Sequence, residues 1–213
     1  MRMKIDAISF DLDNTMYPQM EYETAVFELI SAAVEREYGV NGDVYYDRLM
    51  DLFKKGERHM VFDRAMVECL GRLPKNWRRF VIGEILPTYR SSKVNIKLFD
   101  GVLDILKKLR KMVRFMVVIT DGNTDLQMNK IDLLGIEDIF DRIYISDSYT
   151  PPARKPDTRM FKDFLEDFKL DPSRTMHVGD DENKDGACKK LGIRFFKIES
   201  QKDWTELLQL FLP

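Results

Sequence analysis

Five short apolar stretches rich in β-branched and aromatic residues recur along the chain. They are KIDAISF (4–10), VRFMVVIT (113–120), RIYISD (142–147), TMHVGD (175–180) and RFFKI (194–198). Segments with the three- and four-residue apolar spacing of amphipathic helices lie between most of them, such as 124–136, which Gly135 closes, and 158–170. This alternation of strands and helices predicts an α/β fold built on a parallel sheet.

The connection between the first two predicted strands is far longer than a crossover requires. About a hundred residues separate Phe10 from Arg114, whereas a strand–helix–strand unit takes only about 30. The intervening segment carries helical apolar spacing, punctuated by glycine and proline. We therefore predict an α-helical subdomain at 16–95, inserted into a core made of 1–15 and 96–213.

Composition excludes several classes of protein. The formal net charge is −2, with basic and acidic residues mixed along the chain, which argues against a nucleic-acid or membrane-surface partner. Cys69 and Cys188 are too few and too far apart for a disulfide framework or a zinc site, so reduced thiols are expected. We find neither an apolar signal segment nor a run of roughly 18 apolar residues. The expectation is a soluble, cytoplasmic protein.

Polar residues follow the predicted strands where each one ends. They are Asp11 and Asp13 after the first, Thr120, Asp121, Gly122 and Asn123 after the second, Arg154, Lys155, Pro156 and Asp157 after the third, and Asp180, Asp181 and Asp185 after the fourth. Because the carboxyl ends of parallel strands share one edge of the sheet, these groups are expected to gather there. The side chains of Asp11 and Asp13, two positions apart, are expected to project the same way into one small space.

Such a group of carboxylates indicates a metal site. Carboxylates at close range raise one another's pKa and cannot all stay ionised without a cation. Oxygen ligands without histidine or cysteine favour Mg²⁺, completed by waters and a substrate phosphate, over zinc. Lys155 adds a second cation, and the Thr120 hydroxyl with the following N–H groups of Asp121 and Gly122 supplies donors to an anion. We therefore predict a site for a dianionic phosphate.

The motifs in this order resemble those of the haloacid dehalogenase-like hydrolase superfamily. DLDNT (11–15) is similar to its first motif, Thr120 to its second, Lys155 in RKPD to its third, and GDDENKD (179–185) to its acidic fourth. The match extends over the whole chain. The resemblance implies a Rossmann-like core with strand order 5-4-1-2-3 and a helical cap, the inserted subdomain, acting as a lid.

The resemblance also implies roles for the aspartates. Asp11 matches the nucleophile that forms an aspartyl-phosphate, and Asp13 matches the general acid that protonates the leaving oxygen and later serves as base. Asp180 matches a metal ligand, together with Asp11 and the main-chain carbonyl of Asp13. Asp185 is expected just outside the metal's direct ligands. Asp181 either joins it there or lies on the solvated surface.

The leading functional interpretation is a Mg²⁺-dependent phosphatase of a small phosphorylated metabolite, acting as a monomer or weak homodimer. Nucleotides, sugar phosphates and phosphoglycolate-like compounds are all candidate substrates. A phosphomutase would use the same residues and return the phosphoryl group to a bound sugar. A phospho-accepting signalling module combines similar groups but is about half as long and lacks the helical insert. The dehalogenases of the superfamily lack the aspartate that stands here at Asp13.

Neither histidine is assigned to the chemistry. His177 lies within the fourth predicted strand, where a packed or hydrogen-bonded imidazole is expected. His59 lies in the helical insert and is expected at the surface.

Overall fold

The computed structural model describes residues 4–212. The chain divides into two compact units. The sheet unit combines Met1–Gln19 with Ile96–Pro213, and the helical unit is Met20–Asn95.

The boundary after the first strand lies a few residues later than the sequence predicts. Residues 16–19 belong to the sheet unit rather than to the helical one. Tyr17 forms an isolated bridge with Asp13, and the N–H of Phe99 donates to the carbonyl of Met16 at 3.0 Å. The second contact joins the turn after the first strand to the other segment of the sheet unit.

The sheet unit contains one five-stranded parallel sheet. Its strands are β1 (Ala7–Phe10), β2 (Phe115–Thr120), β3 (Arg142–Ile145), β4 (Thr175–Gly179) and β5 (Arg194–Lys197). Their order is β3-β2-β1-β4-β5, which confirms the predicted arrangement of a Rossmann-like core. Phe10 of the central strand lies in register with Val118 on one side and Val178 on the other.

Helices connect successive strands, and one more helix follows the last strand. The helices of the helical unit are α1 (Gln19–Tyr38), whose first residue still belongs to the sheet unit, α2 (Gly42–Lys54), α3 (Val61–Leu70), α4 (Trp77–Phe80), a π-helical segment (Val81–Ile85) and α5 (Leu86–Ser91). In the sheet unit they are α6 (Val102–Arg110), α7 (Thr124–Leu134), α8 (Arg159–Asp167) and α9 (Gln201–Gln209). Among residues 4–212, no helix is long and apolar enough to cross a membrane.

Strand residues alternate between the two faces of the sheet, so apolar side chains project from both faces. One core cluster brings strand residues together with residues of α8, among them Ala7, Val117, Ile119, Met160, Phe161 and Phe164. Elsewhere Phe10 of β1 stacks on Trp204 of α9, with ring centroids 6.0 Å apart and planes 5° apart. Buried strands without alternating polar residues are typical of parallel sheets.

The helical unit has an aromatic core of its own. The ring of Phe27 lies 5.9 Å from that of Phe53, 6.4 Å from that of Phe62 and 6.2 Å from that of Tyr89. The Tyr45 hydroxyl, which is buried, donates to the carbonyl of Phe62 at 3.0 Å. His59 is exposed, as the sequence predicts.

A tight turn follows the central strand. The N–H of Asp11 still donates to the carbonyl of Val178 at 2.9 Å and so continues the sheet ladder. The chain then reverses, with the N–H of Met16 bonded to the carbonyl of Leu12. Asn14 adopts a left-handed conformation with φ of 59°, which asparagine tolerates better than most residues. The turn places the side chains that follow β1 at the carboxyl edge of the sheet.

Candidate active site

The carboxyl ends of the three central strands bring the predicted site residues together. Asp11 follows β1, Thr120 ends β2, and Asp180 follows β4. Since β1 lies between β2 and β4, these positions are neighbours at one edge. Ligands of open parallel sheets bind at this edge.

Three carboxylates form an acidic cluster, which we define as Asp11, Asp180 and Asp185. Each offers an oxygen, and these oxygens all lie within 4.8 Å of one another. Asp11 and Asp185 are buried, and Asp180 is half-buried. The Thr15 hydroxyl lies 3.2 Å from Asp11 Oδ2 and 3.3 Å from Asp180 Oδ1. It has one proton to donate, so it links two members of the cluster without neutralising either.

Lys155 is the cation at the centre of this arrangement. Its Nζ lies 2.6 Å from Asp11 Oδ1, 2.5 Å from Asp185 Oδ1 and 3.3 Å from the carbonyl of Ile119. An ammonium group has three donors, and all three are used here. The backbone N–H of Lys155 also donates to Asp121 Oδ1 at 3.0 Å. Both the backbone and the side-chain ammonium of Lys155 are therefore fixed by hydrogen bonds.

The acidic cluster carries more negative charge than Lys155 can offset. Burial raises the pKa of Asp11 to about 8, against the attraction of Lys155 and with added repulsion from Asp185 and Asp180. Burial and the charge of Asp185 likewise raise the pKa of Asp180. Burial alone would raise the pKa of Asp185 too, but Lys155 and His177 hold it well below its usual range. A second cation at this place would relieve the repulsion.

His177, within β4, contacts the acidic cluster through Asp185. Its Nε2 lies 3.2 Å from Asp185 Oδ1 and its Nδ1 lies 2.8 Å from Ser9 Oγ. Burial lowers the pKa of His177, so the ring is neutral near pH 7. Because a carboxylate only accepts, the proton belongs on Nε2, and Nδ1 accepts from Ser9. His177 is thus a hydrogen-bonded strand residue, as predicted, and it orients Asp185.

The carboxylates of Asp13 and Asp11 have different hydrogen-bond partners. The strand ends at Phe10, so the two-residue alternation does not continue through the turn. The Asp13 carboxylate accepts from Tyr17 Oη at 2.6 Å, Lys130 Nζ at 2.8 Å and Gln127 Nε2 at 2.9 Å. Burial would raise the pKa of Asp13, but Lys130 and these hydrogen bonds lower it below its usual range.

Asp181 and Gly122 form hydrogen bonds within their own part of the protein. Asp181 Oδ1 accepts from the N–H of Asn183 at 2.9 Å and from the N–H of Lys184 at 3.2 Å, so its carboxylate caps its own loop. Its backbone reaches the acidic cluster: the N–H donates to Asp185 Oδ2 at 3.0 Å, and the carbonyl accepts from the N–H of Asp185 at 2.8 Å. The N–H of Gly122 donates to Ser146 Oγ at 3.0 Å rather than pointing to an anion.

Sequence reasoning missed three residues of the site. Thr15 is the last residue of DLDNT, and its place in that motif was the available signal. Gln127 and Lys130 are both buried, three residues apart on α7, immediately after the loop of Thr120. Their signal was weak: a lysine and a glutamine between the apolar residues Leu126 and Ile131, on the face that a helix turns toward a core.

Comparison with known proteins places this arrangement in a family. The family model described as "Haloacid dehalogenase-like hydrolase" matches residues 8–198. The chain is 30% identical over 200 residues to the glyceraldehyde 3-phosphate phosphatase of Methanocaldococcus jannaschii, covering 91% of this chain and 85% of that one. It is 25% identical to the ribulose-1,5-bisphosphate 5-phosphatase of Halopiger xanaduensis, covering 94% of this chain and 88% of that one.

Solved structures share the fold at lower identity. The putative HAD-hydrolase YfnB of Bacillus subtilis superposes with a TM-score of 0.68 at 16% identity, covering 99% of this chain and 100% of that one. A HAD phosphatase from Thermococcus onnurineus has a TM-score of 0.64 at 18% identity, covering 92% of this chain and 87% of that one.

Gly179→Ala is expected to disrupt the acidic cluster. A Cβ at position 179 would lie far inside van der Waals contact of the Asp185 carboxyl carbon, which Lys155 and His177 hold in place. Overpacking of this kind costs about 1–3 kcal/mol. We expect a lower free energy of unfolding in urea and weaker Mg²⁺ binding by calorimetry.

The matched control for this substitution is Gly83→Ala, where a new Cβ meets nothing within 4 Å. We expect it to leave stability and metal binding unchanged. Wild-type values for Gly179→Ala would mean that Asp185 can move aside, which would contradict a fixed cluster.

Asp11→Asn is expected to stabilise the metal-free protein at neutral and alkaline pH. The pKa of Asp11 rises from 3.8 to about 8 on folding, so the folded state favours the protonated acid. The stability that this preference adds to the folded wild type is present at low pH and is lost as pH rises from about 4 to about 8. Asparagine does not titrate, so its advantage should grow over this window and exceed about 1.4 kcal/mol, the value of one pKa unit.

Urea unfolding of both proteins at several pH values, in chelator and in Mg²⁺, measures this effect. Mg²⁺ should stabilise the wild type more than Asp11→Asn, because the variant loses a ligand. An Asp11→Asn protein clearly less stable than wild type in chelator at pH 8 would assign Asp11 a role in holding the fold instead.

Proposed function

The chain belongs to the haloacid dehalogenase-like hydrolase family and is a phosphoric monoester hydrolase, and on that basis we propose a Mg²⁺-dependent phosphatase of small sugar phosphates that works through an aspartyl-phosphate. The observation that carries the proposal is the acidic cluster around Lys155. A buried carboxylate beside a fixed ammonium and two further carboxylates suits the capture of a phosphoryl group with a divalent cation.

The donor set fits Mg²⁺. The oxygens of the acidic cluster are hard ligands within reach of a single ion. We assign the ligands to Asp11, Asp180 and the main-chain carbonyl of Asp13, while Asp185, tied to Lys155 and His177, orients the surroundings. When bound, the ion offsets carboxylate repulsion and withdraws charge from the phosphate oxygens.

Lys155 and Thr120 receive the phosphate in this proposal. Lys155 Nζ, 2.6 Å from Asp11 Oδ1, keeps positive charge beside the attacking carboxylate. Attraction to Asp11 and Asp185 outweighs burial and raises the pKa of Lys155 above its usual range, so the ammonium stays charged. The Thr120 hydroxyl, buried at the end of β2, donates to a phosphate oxygen.

The proposed reaction has two balanced steps. In the first, a carboxylate oxygen of Asp11 bonds to phosphorus and the ester P–O bond breaks. Asp13, whose pKa is lowered here, first takes up a proton from solvent and then gives it to the leaving oxygen. In the second, water attacks the phosphoryl group of Asp11 and gives a proton to Asp13. Phosphate leaves with the oxygen of water, Asp13 gives that proton back to solvent, and both aspartates return to their starting forms.

Sugar phosphates are the proposed substrates because of the relatives' names. The matched proteins are named for glyceraldehyde 3-phosphate and ribulose-1,5-bisphosphate, both phosphorylated carbohydrates. The residues assigned to the chemistry all lie in the sheet unit. The signalling switch considered from sequence is set aside, because the family and the phosphatase-named relatives are enzymes.

A panel of phosphorylated metabolites tests this function. We expect Mg²⁺-dependent release of inorganic phosphate from triose and pentose phosphates, exceeding that from phosphoglycolate and nucleoside monophosphates. Asp11→Asn should release none. Transfer of the phosphoryl group to a second sugar hydroxyl, without free phosphate, would identify a mutase. Activity that persists in chelator would overturn the metal assignment.

Asp13→Asn is expected to slow turnover in a way that depends on the leaving group. Loss of a general acid costs about a hundredfold to ten-thousandfold in kcat when the leaving alcohol needs a proton. An aryl ester such as 4-nitrophenyl phosphate needs little protonation and should lose much less. Steady-state kinetics with an alkyl and an aryl ester make the comparison, and equal losses for the two esters would count against the acid role.

A further inference from the structure

Helix α7 turns two polar side chains, Gln127 and Lys130, toward the end of the sheet. Both are about 1% exposed. They lie three residues apart, so they share one face of the helix. Burying an ammonium is costly unless it is paired, and a buried amide must find hydrogen-bond partners. The partners found here are residues of the candidate active site.

Both side chains contact the Asp13 carboxylate, together with Tyr17. Lys130 Nζ lies 2.8 Å and Tyr17 Oη 2.6 Å from Asp13 Oδ1, while Gln127 Nε2 lies 2.9 Å from Oδ2. We define Tyr17, Gln127 and Lys130 as the Asp13 clamp. Donors on both oxygens leave the carboxylate little freedom to rotate.

The amide of Gln127 also reaches Thr120. Its Nε2 lies 2.7 Å from Thr120 Oγ1 and 2.9 Å from Asp13 Oδ2, so one NH₂ group serves both. The amide nitrogen faces Asp13 because the pKa of that carboxyl is lowered, and an ionised carboxylate only accepts. Thr120 Oγ1 therefore accepts from Gln127 and keeps its own proton for another acceptor. One side chain thus links the residue proposed to protonate the leaving group to the one proposed to hold phosphate.

Gly122 gives Gln127 the space it occupies. A Cβ at position 122 would lie 3.1 Å from Gln127 Cδ and 3.2 Å from its Cγ, closer than ordinary contacts allow. Gly122 also has φ of 142°, which disfavours a side chain there. The glycine in the loop after β2 therefore leaves room for the Gln127 side chain.

We propose that Lys130 and Gln127 are positioning residues, which fix the Asp13 carboxylate at the leaving oxygen and direct the Thr120 hydroxyl proton toward phosphate. This inference rests on the proposed function of Asp13 and Thr120. A purely structural ion pair between Lys130 and Asp13 is the alternative. The two differ in kinetics, because positioning acts through Asp13 and a structural pair acts through stability.

The test combines single and double substitutions. Lys130→Met and Gln127→Leu remove the donors while keeping length or volume, and each is made alone and with Asp13→Asn. Kinetics use the best alkyl phosphate of the metabolite panel and 4-nitrophenyl phosphate. The exposed Lys108 of α6 supplies a matched control, Lys108→Met, which should behave as wild type.

If the proposal holds, each single variant loses about tenfold to a hundredfold in kcat on the alkyl ester, as is usual for residues that orient a catalytic group. The loss on the aryl ester should be smaller, and KM should change little. Each double variant should be no slower than Asp13→Asn alone, because the clamp acts through that residue. Lys130→Arg should recover part of the loss.

Three results would overturn the proposal. They are equal losses on both esters, losses that multiply with that of Asp13→Asn, and a change in melting temperature without a kinetic effect. Should Lys130→Met fail to fold, Gln127→Leu, which removes no charge, decides by the same criteria. A failure of Asp13→Asn itself to discriminate between esters would instead overturn the general-acid role, and the clamp with it. The proposed function and this inference therefore fail in distinguishable ways.

Discussion

The burial of the Lys155 ammonium among carboxylates is the constraint on which the site depends. Each of its three donors has an acceptor, two of them carboxylate oxygens at 2.6 and 2.5 Å. Desolvating a charge is costly, so this arrangement stands only if the acceptors are held in place. The central strand fixes Asp11, and His177 and the absence of a side chain at Gly179 fix Asp185. The neighbouring strands β1 and β4 thus hold the carboxylates that pair with Lys155.

Two aspartates from one short motif have opposite environments. The pKa of Asp11 is raised to about 8 by burial among carboxylates. The pKa of Asp13 is lowered, because Lys130 and the hydrogen bonds from Tyr17 and Gln127 together outweigh burial. When different environments separate the pKa values of two neighbouring carboxylates, the two groups can take different roles in one reaction. Here the division follows from the turn after Phe10, which directs one side chain to the cluster and the other to α7.

Support for the site therefore reaches it from two directions. On one side, His177 and Ser9 orient Asp185 from within the sheet. On the other, α7 supplies Gln127 and Lys130, and Gly122 leaves room for the glutamine. Polar groups this deeply buried stabilise a single geometry only when all of them find partners. The expected consequence is a rigid set of catalytic groups in the sheet unit.

Local patterns in the sequence predicted the fold class, and the resemblance of its ordered motifs to a known family implied the strand order; the structure confirms both. Apolar runs set the strands, and the ordered motifs around Asp11, Thr120, Lys155 and Asp180 identified the edge where ligands bind. Only the tertiary structure decided which hydrogen-bond partners the site residues have. The spacing of Asp11 and Asp13 did not predict that Lys130 and Gln127 would hold the Asp13 carboxylate. Residues such as Lys130 and His177 look like ordinary helix and strand positions in sequence, since a contact more than a hundred residues away leaves no local trace.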